Sequence, residues 1–456
     1  MQVDLAIKSK NIITSSEIID GMVIISNGRI ADVITSASYG EQPEAGLLDF
    51  PIEDVGDCVV MAGIIDPHVH INEPGRTDWE GFDTATKAAA AGGITTLVDM
   101  PLNSSPVTTT KNNFLLKLEA AKNKIHVNCG FWGGVVPGNE KELEELLHAG
   151  VLGLKAFLTH SGIDEFPNCN AEHLRYALKI LKKYDKPLLV HCELDVVKDG
   201  EKMLRENPQS YPAWMHSRPS TMEEEAIKMM IDLCRETEAR VHIVHLASAN
   251  SIEQIQQAKA EGLPLTVETA QHYLYFDSES IPDGDTRFKC APPIRDKANK
   301  EKLWEALGNG TIDFVATDHS PAPSDLKEIS SGNLQQAWGG IAGLQFSLPA
   351  LWTGALERNF SVTDISKWLC ENPAKFLKMD AHKGKIAKGY DADFCIWMPA
   401  NNFIVNEEKI RHRHKITPYL DQELYGVVKQ TYLMGTKIFA DEMFTNLNEG
   451  KIILEN

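Results

Sequence analysis

His68 and His70 stand two residues apart in D-P-H-V-H-I-N, and His191 and His245 each lie near the end of a later apolar run. Asp318 and Lys155 complete a set of four imidazoles, one carboxylate and one amine. Residues two apart on a strand face the same side, as two ligands of one ion must. Imidazole and carboxylate together suit zinc or a similar divalent ion. Lys155 is the odd member, because a protonated ammonium repels a metal. A lone histidine in a strand is more often structural, and H-x-H by itself is a modest signal. Six residues of ligand-compatible type on five run ends are harder to dismiss, and they predict a metal centre.

The elements that must position them are short. Eight apolar runs alternate with helical stretches: 59–71, 95–101, 127–133, 153–158, 187–192, 240–247, 265–270 and 313–320. The intervening segments N-E-K-E-L-E-E-L-L-H-A-G and A-E-H-L-R-Y-A-L-K-I-L-K-K-Y repeat apolar residues at three- and four-residue steps, as amphipathic helices do. Alternating strands and helices predict an α/β fold with a parallel sheet, and eight such units predict a (β/α)8 TIM barrel. Barrel enzymes build their sites at the C-terminal ends of strands, where these six residues fall. An open doubly wound sheet is the rival, but no G-x-G-x-x-G follows the first run. Both ends of the chain read as strands, including V-D-L-A-I-K-S at the start and K-I-I-L-E at the finish. They predict a small β-sandwich domain built from both termini, with residues 1–57 and 381–456 flanking a barrel at 58–380.

Composition narrows the partners. Lys and Arg number 45 against 64 Asp and Glu, a formal charge of -19. Such a surface repels phosphate backbones and anionic lipid heads, so neither a nucleic acid nor a membrane is expected. No window approaches the roughly 20 apolar residues of a membrane span. The eight cysteines are scattered without a C-x-x-C pair, which reads as reduced, buried thiols in a cytoplasmic protein.

These residues resemble the cyclic amidohydrolases of the amidohydrolase superfamily. The likeness runs from D-P-H-V-H-I-N-E-P-G-R (66–76) to G-K-I-A-K-G-Y-D-A-D-F (384–394). It implies two divalent ions, zinc first, with iron, manganese or cobalt accepted by the same donors. His68, His70 and Asp318 would hold one ion, and His191 and His245 the other. Lys155, carboxylated on its amine, would bridge them. The chemistry implied is hydrolysis of a cyclic amide: paired ions lower the pKa of water and polarise the carbonyl. Asp318 would be the base that takes the water's proton and returns it to the leaving nitrogen. The resemblance also implies a homotetramer and a small-molecule substrate.

Substrate choice rests on departures within the family pattern. Dihydroorotases carry Arg where Asn72 stands and M-P-N-T where this chain has M-P-L-N-S (100–104), so an anionic ring would lack its partners. Hydantoinases and dihydropyrimidinases place Tyr five residues past the bridging lysine, where this chain has His160. The segments 73–82, 100–104, 160–167 and Q-A-W-G-G-I-A-G-L-Q (336–345) are similar to the branch that opens allantoin to allantoate. That likeness implies substrate contacts from Asn103, His160, Trp338 and the main chain of Ala291 in C-A-P-P (290–293). A hydantoinase or dihydropyrimidinase acting on another neutral ring is the alternative. Glu193 reads as support for His191, and His272 as a core residue. The basic run 411–415 reads as a solvated or subunit-contact surface.

Overall fold

The computed structural model describes residues 3–14, 17–39, 50–196 and 200–455. Each of the eight runs supplies a strand: Ile64–Val69, Ile94–Asp99, Asn128–Phe131, Leu154–Phe157, Leu188–His191, Val241–Ile243, Leu265–Ala270 and Phe314–Ala316. The first three form one parallel sheet; the other five, with the short Gly133–Gly134, form a second. Two seams join the sheets around one barrel. Val69 bridges His319 in parallel, and the His70 N–H donates to His319 O at 2.8 Å. On the other side the Leu152 N–H donates to Phe131 O at 2.9 Å. Most barrel-strand residues are buried whichever face they point to, as expected of parallel strands lined inside and covered by helices.

The helix Ala171–Tyr184 covers the stretch its periodicity predicts and buries Leu174, Ala177, Leu178, Ile180 and Leu181. Asn170 caps its start in a capping box with His173. Register does the fine positioning. Phe157 pairs with His191 across neighbouring parallel strands, so Lys155 and His191 leave the sheet at adjacent strand ends.

The terminal strands form one nine-stranded sheet drawn from both ends of the chain. Val59–Ala62, read from the sequence with the first barrel strand, belongs to this sheet instead. It pairs parallel with Leu5–Ile13 and antiparallel with Phe394–Ile404. Gly63 makes the break: a Cβ there would lie 2.2 Å from Thr95 Oγ1, so only glycine lets the chain pass into the barrel.

The run K-I-I-L-E is also displaced from its expected place. It leaves the nine-stranded sheet and docks on the barrel, where Ile452 bridges Cys129. Asn128 Oδ1 accepts the Lys451 N–H at 3.0 Å, and Lys186 pairs with Glu455. Among the described residues no helix is long and apolar enough to cross a membrane. All eight cysteines are buried and free.

Gly450 starts this docked tail, and a Cβ there would meet Val127 O at 2.2 Å. Gly450→Ala is expected to destabilise the fold by about 1–3 kcal/mol, the usual range for overpacking. Urea unfolding of the variant beside the parent reads this; an unchanged midpoint would show that the tail yields freely.

Candidate active site

The strands stop at one end of the barrel over a cavity of about 400 Å³. His68, His70, Lys155, His191, His245 and Asp318 all line it, and so do Asn103, His160, Ala291 and Trp338. The sequence candidates, up to 250 residues apart (318 − 68), therefore share one mouth. His245 and Asp318 lie two residues beyond their strands with φ of 38° and 46°. That left-handed turn is sparsely populated by non-glycine residues, and here it aims both side chains into the mouth.

Asp318 is the centre of the first cluster. Its Oδ1 lies 3.1 Å from His68 Nε2 and 3.3 Å from His70 Nε2. Ligand atoms of these three residues all fall within 4.8 Å of one another. Burial opposes the charge on Asp318, but His68 and His70 overrule it and hold the carboxyl well below its usual range. His68 is likewise penalised by burial, yet Asp318 and Glu268 raise its pKa to about 9. His70, with less carboxylate support, is lowered by burial to about 4.

The second cluster faces it. His191 Nδ1 lies 3.0 Å from His245 Nε2, and the His68 and His245 ring centres are 5.5 Å apart. The Phe157 ring stacks on His191 at 4.5 Å and fixes its plane. Lys155 is buried nearby, and burial lowers its pKa to about 8. Neither Lys155 Nζ nor His245 Nδ1 has a hydrogen-bond partner. Buried polar atoms without partners are costly, so two orphans among convergent imidazoles fit a site made for cations. The donor set of imidazole and carboxylate fits divalent metals of the zinc type.

Behind the ligands stand carboxylates that the sequence reading only partly found. Glu268, fully buried, meets His68 Nδ1 with one oxygen and His242 Nε2, at 3.1 Å, with the other. His242 Nδ1 continues to Thr266 Oγ1 at 2.8 Å. The available signal was a glutamate in the apolar strand L-T-V-E-T-A. Glu193, expected to support His191, does contact its Nε2 at 2.7 Å. Arg218, which carried no signal in the sequence, sits in the bend between the helices Tyr211–Ser217 and Ser220–Thr237 and grips Glu193 from Nε at 3.0 Å and Nη2 at 2.5 Å. Despite burial, that guanidinium and His191 keep Glu193 ionised, well below the usual carboxylate range. Asp66 ties strand one to strand eight, accepting the His68 N–H at 3.1 Å and the Thr317 hydroxyl at 2.6 Å.

Other candidates take specific places. The Asn103 amide lies 3.2 Å from His70 Nδ1, so it touches a ligand as well as the cavity. His160 is exposed at the rim and sits 3.3 Å from Asp164. Asn72 does not line the cavity: it is fully buried, and its amide faces Pro321 O at 3.4 Å. His272 is buried against Tyr273, but neither of its ring nitrogens finds a hydrogen-bond partner, so it is not the satisfied core histidine its context suggested. The run 411–415 is solvated at Arg413 and Lys415, as expected, but not throughout. His412 is fully buried, and the Arg413 main chain and guanidinium hold buried Glu80.

Glu268→Gln keeps the shape of the side chain and removes its charge. The variant is expected to lose about 10- to 100-fold in metal affinity, the usual cost of removing a carboxylate behind a ligating histidine. Chelator competition against the parent reads this, and parental affinity would show that Glu268 merely fills space.

Comparison with known proteins agrees with this architecture. The Amidohydrolase family model matches residues 59–437. An allantoinase of Arabidopsis thaliana is 44% identical over 448 residues, covering 95% of this chain and 88% of its own. An allantoinase of Streptomyces avermitilis is 45% identical over 443 residues, 97% of each chain. Among solved structures, the L-hydantoinase (dihydropyrimidinase) of Arthrobacter aurescens superposes with a TM-score of 0.91 at 27% identity, over 100% of both chains. The chain belongs to the amidohydrolase family.

Proposed function

We propose that the chain is an allantoinase, hydrolysing the ring amide of allantoin to allantoate. The observation that carries the chemistry is Asp318, an ionised carboxylate set between two imidazoles at the floor of a 400 Å³ cavity. The names of its full-length relatives support the choice of ring.

Membership of the family implies a binuclear metal centre. We assign His68, His70 and Asp318 to one ion, and His191 and His245 to the other, with Lys155 shared. On this reading Lys155 carries a carbamate: its ammonium first loses one proton, and the neutral amine then bonds to carbon dioxide and releases a second, so that a buried cation becomes an anion the two ions would share. The unpartnered Nζ supports this. Bound ions, zinc in the first instance, would lower the pKa of water and polarise the ring carbonyl.

The protein's own groups do the rest. Asp318 takes the proton of the attacking water and delivers it to the ring nitrogen as the carbon–nitrogen bond breaks. Water oxygen ends in the new carboxylate, and nitrogen ends in the open ureide. Glu268 and Glu193 hold His68 and His191 in orientation. The Ala291 main chain, Asn103, Trp338 and the rim residue His160 are proposed to hold the neutral ring and its ureido tail. A cytoplasmic homotetramer is proposed on family resemblance.

The full-length likeness to a hydantoinase keeps a second reading in view, activity on another neutral ring. Metal-loaded protein is to be offered allantoin, dihydrouracil, dihydroorotate and hydantoin at equal concentration. Allantoin is expected to be hydrolysed fastest; preference for hydantoin or dihydrouracil would overturn the assignment of ring.

Asp318→Asn should fold and lose turnover by about 100- to 10,000-fold, the range for a lost general base. Near-parental rates would remove Asp318 from that role. Lys155→Ala is expected to lose bound metal together with activity, read by elemental analysis; retained metal would contradict the bridging assignment.

A further inference from the structure

Six lysines are buried among the described residues. Lys117, Lys186 and Lys383 each meet a carboxylate: Asp99, Glu455, and the pair Asp391 and Asp393. Lys155 belongs to the metal donor set. Lys289 and Lys327 have no carboxylate within ion-pair distance, so main-chain oxygens must compensate their ammonium groups.

Lys327 Nζ donates to Gly340 O at 2.8 Å, Trp338 O at 3.0 Å and Lys289 O at 3.3 Å. Gly340 N–H donates to the same Lys289 O at 3.0 Å. Lys289 Nζ reaches back to Gln335 O at 3.3 Å and to Ala337 O, and lies 4.6 Å from the Trp214 ring centre. Two segments are thereby stitched together. One is the turn that follows Lys289 and presents Ala291; the other is the loop 335–340 that presents Trp338. Both line the cavity. Trp338 is steadied on its far side by the Trp79 ring, 4.8 Å away edge to face, and by Ser320 Oγ at 3.4 Å.

An ammonium without a carboxylate partner is an expensive way to join two loops, since burial disfavours the charge. Burial lowers Lys327 to about 7, and burial together with the neighbouring Lys327 does the same for Lys289. A hydrophobic side chain of the same length would fill the space at less electrostatic cost. What it would not do is hold three carbonyl oxygens of separate segments at one point.

We propose that Lys327 is a positioning residue for substrate, its ammonium fixing the Ala291 turn and the Trp338 loop at one mutual spacing so that both walls meet the ring together. The inference rests on reading this cavity as the substrate site, but not on which ring enters it.

The test is Lys327→Met in the full chain, loaded with metal, assayed on whichever ring the parent hydrolyses best. Metal content is expected to stay parental. kcat/KM is expected to fall by about 10- to 100-fold, mainly through KM, as for a contact displaced by a fraction of an ångström to an ångström. Trp338→Ala is expected to lower kcat/KM too, and the double variant to cost less than the product of the two single losses. A lysine with a purely structural role would lower the melting temperature and leave KM parental, and that result would overturn the proposal. So would single losses that multiply in full. If Lys327→Met fails to fold, Gly340→Ala serves: a Cβ there would lie 2.5 Å from Ser320 O, so the loop must move while the lysine remains. It should raise KM with metal content unchanged, and a parental KM would reject the idea. Failure of allantoin alone as substrate would reject the proposed ring and leave this inference standing.

Discussion

A carboxylate, four imidazoles and an amine are packed together at the barrel mouth with almost none of their own surface exposed, and each must be held in one charge state and one direction. Water cannot do this, so protein groups behind them must. Glu268 spans His68 and His242; Glu193, itself clamped by Arg218, holds His191. Asp66 braces the strand ends that carry His68 and Asp318. The arrangement is one of alternating charges running outward from the mouth. Removing one member leaves its neighbour buried and unpaired, which is why such networks fail as units.

The same economy explains how two chemistries of binding share one cavity. The ligand end is rigid because it grows from parallel strands in fixed register. The opposite wall is loop, and loops carry variation between relatives of one fold. Beside it Trp214, on the helix Tyr211–Ser217, lines the cavity with its ring centre 5.6 Å from the Arg218 guanidinium and 4.6 Å from Lys289 Nζ. Arg218 thus touches the apparatus behind the ligands and the wall of the cavity at once, through Glu193 on one side and Trp214 on the other.

That the six candidate residues would share one cavity was legible in the sequence because barrel topology puts strand ends in one place, so residue type and position along a run suffice. The strands were legible because parallel strands buried on both sides read as unbroken apolar runs. What stayed hidden depends on partners chosen in three dimensions. Arg218 lies in a short bend between two helices, and nothing local marks it as the partner of Glu193. Lys289 and Lys327 look like surface lysines until their loops close over them. The 411–415 run is solvated at Arg413 and Lys415 as its composition suggests, but nothing local shows that His412 turns inward or that Arg413 holds Glu80. Val59–Ala62 is as apolar as the barrel strand that follows, and only the close approach at Gly63 separates them. The tail 451–455 reads as a strand without saying which strand it will meet.

That tail has a consequence for how the molecule is made. The bond from Lys451 to Asn128 spans 323 residues, and Thr431 reaches Ala90 across 341. A ribosome delivers the chain from its N-terminus, so all eight barrel strands emerge before the segments that finish them. Leu5–Ile13 and Val59–Ala62 can meet early, but their partner Phe394–Ile404 comes after the whole barrel. The third barrel strand keeps an unfilled flank until the last few residues arrive. Such distant closures are slow, and they leave apolar strands exposed while they wait. The barrel therefore stays unsealed until residues 394–404 and 451–455 have been made and have found their partners.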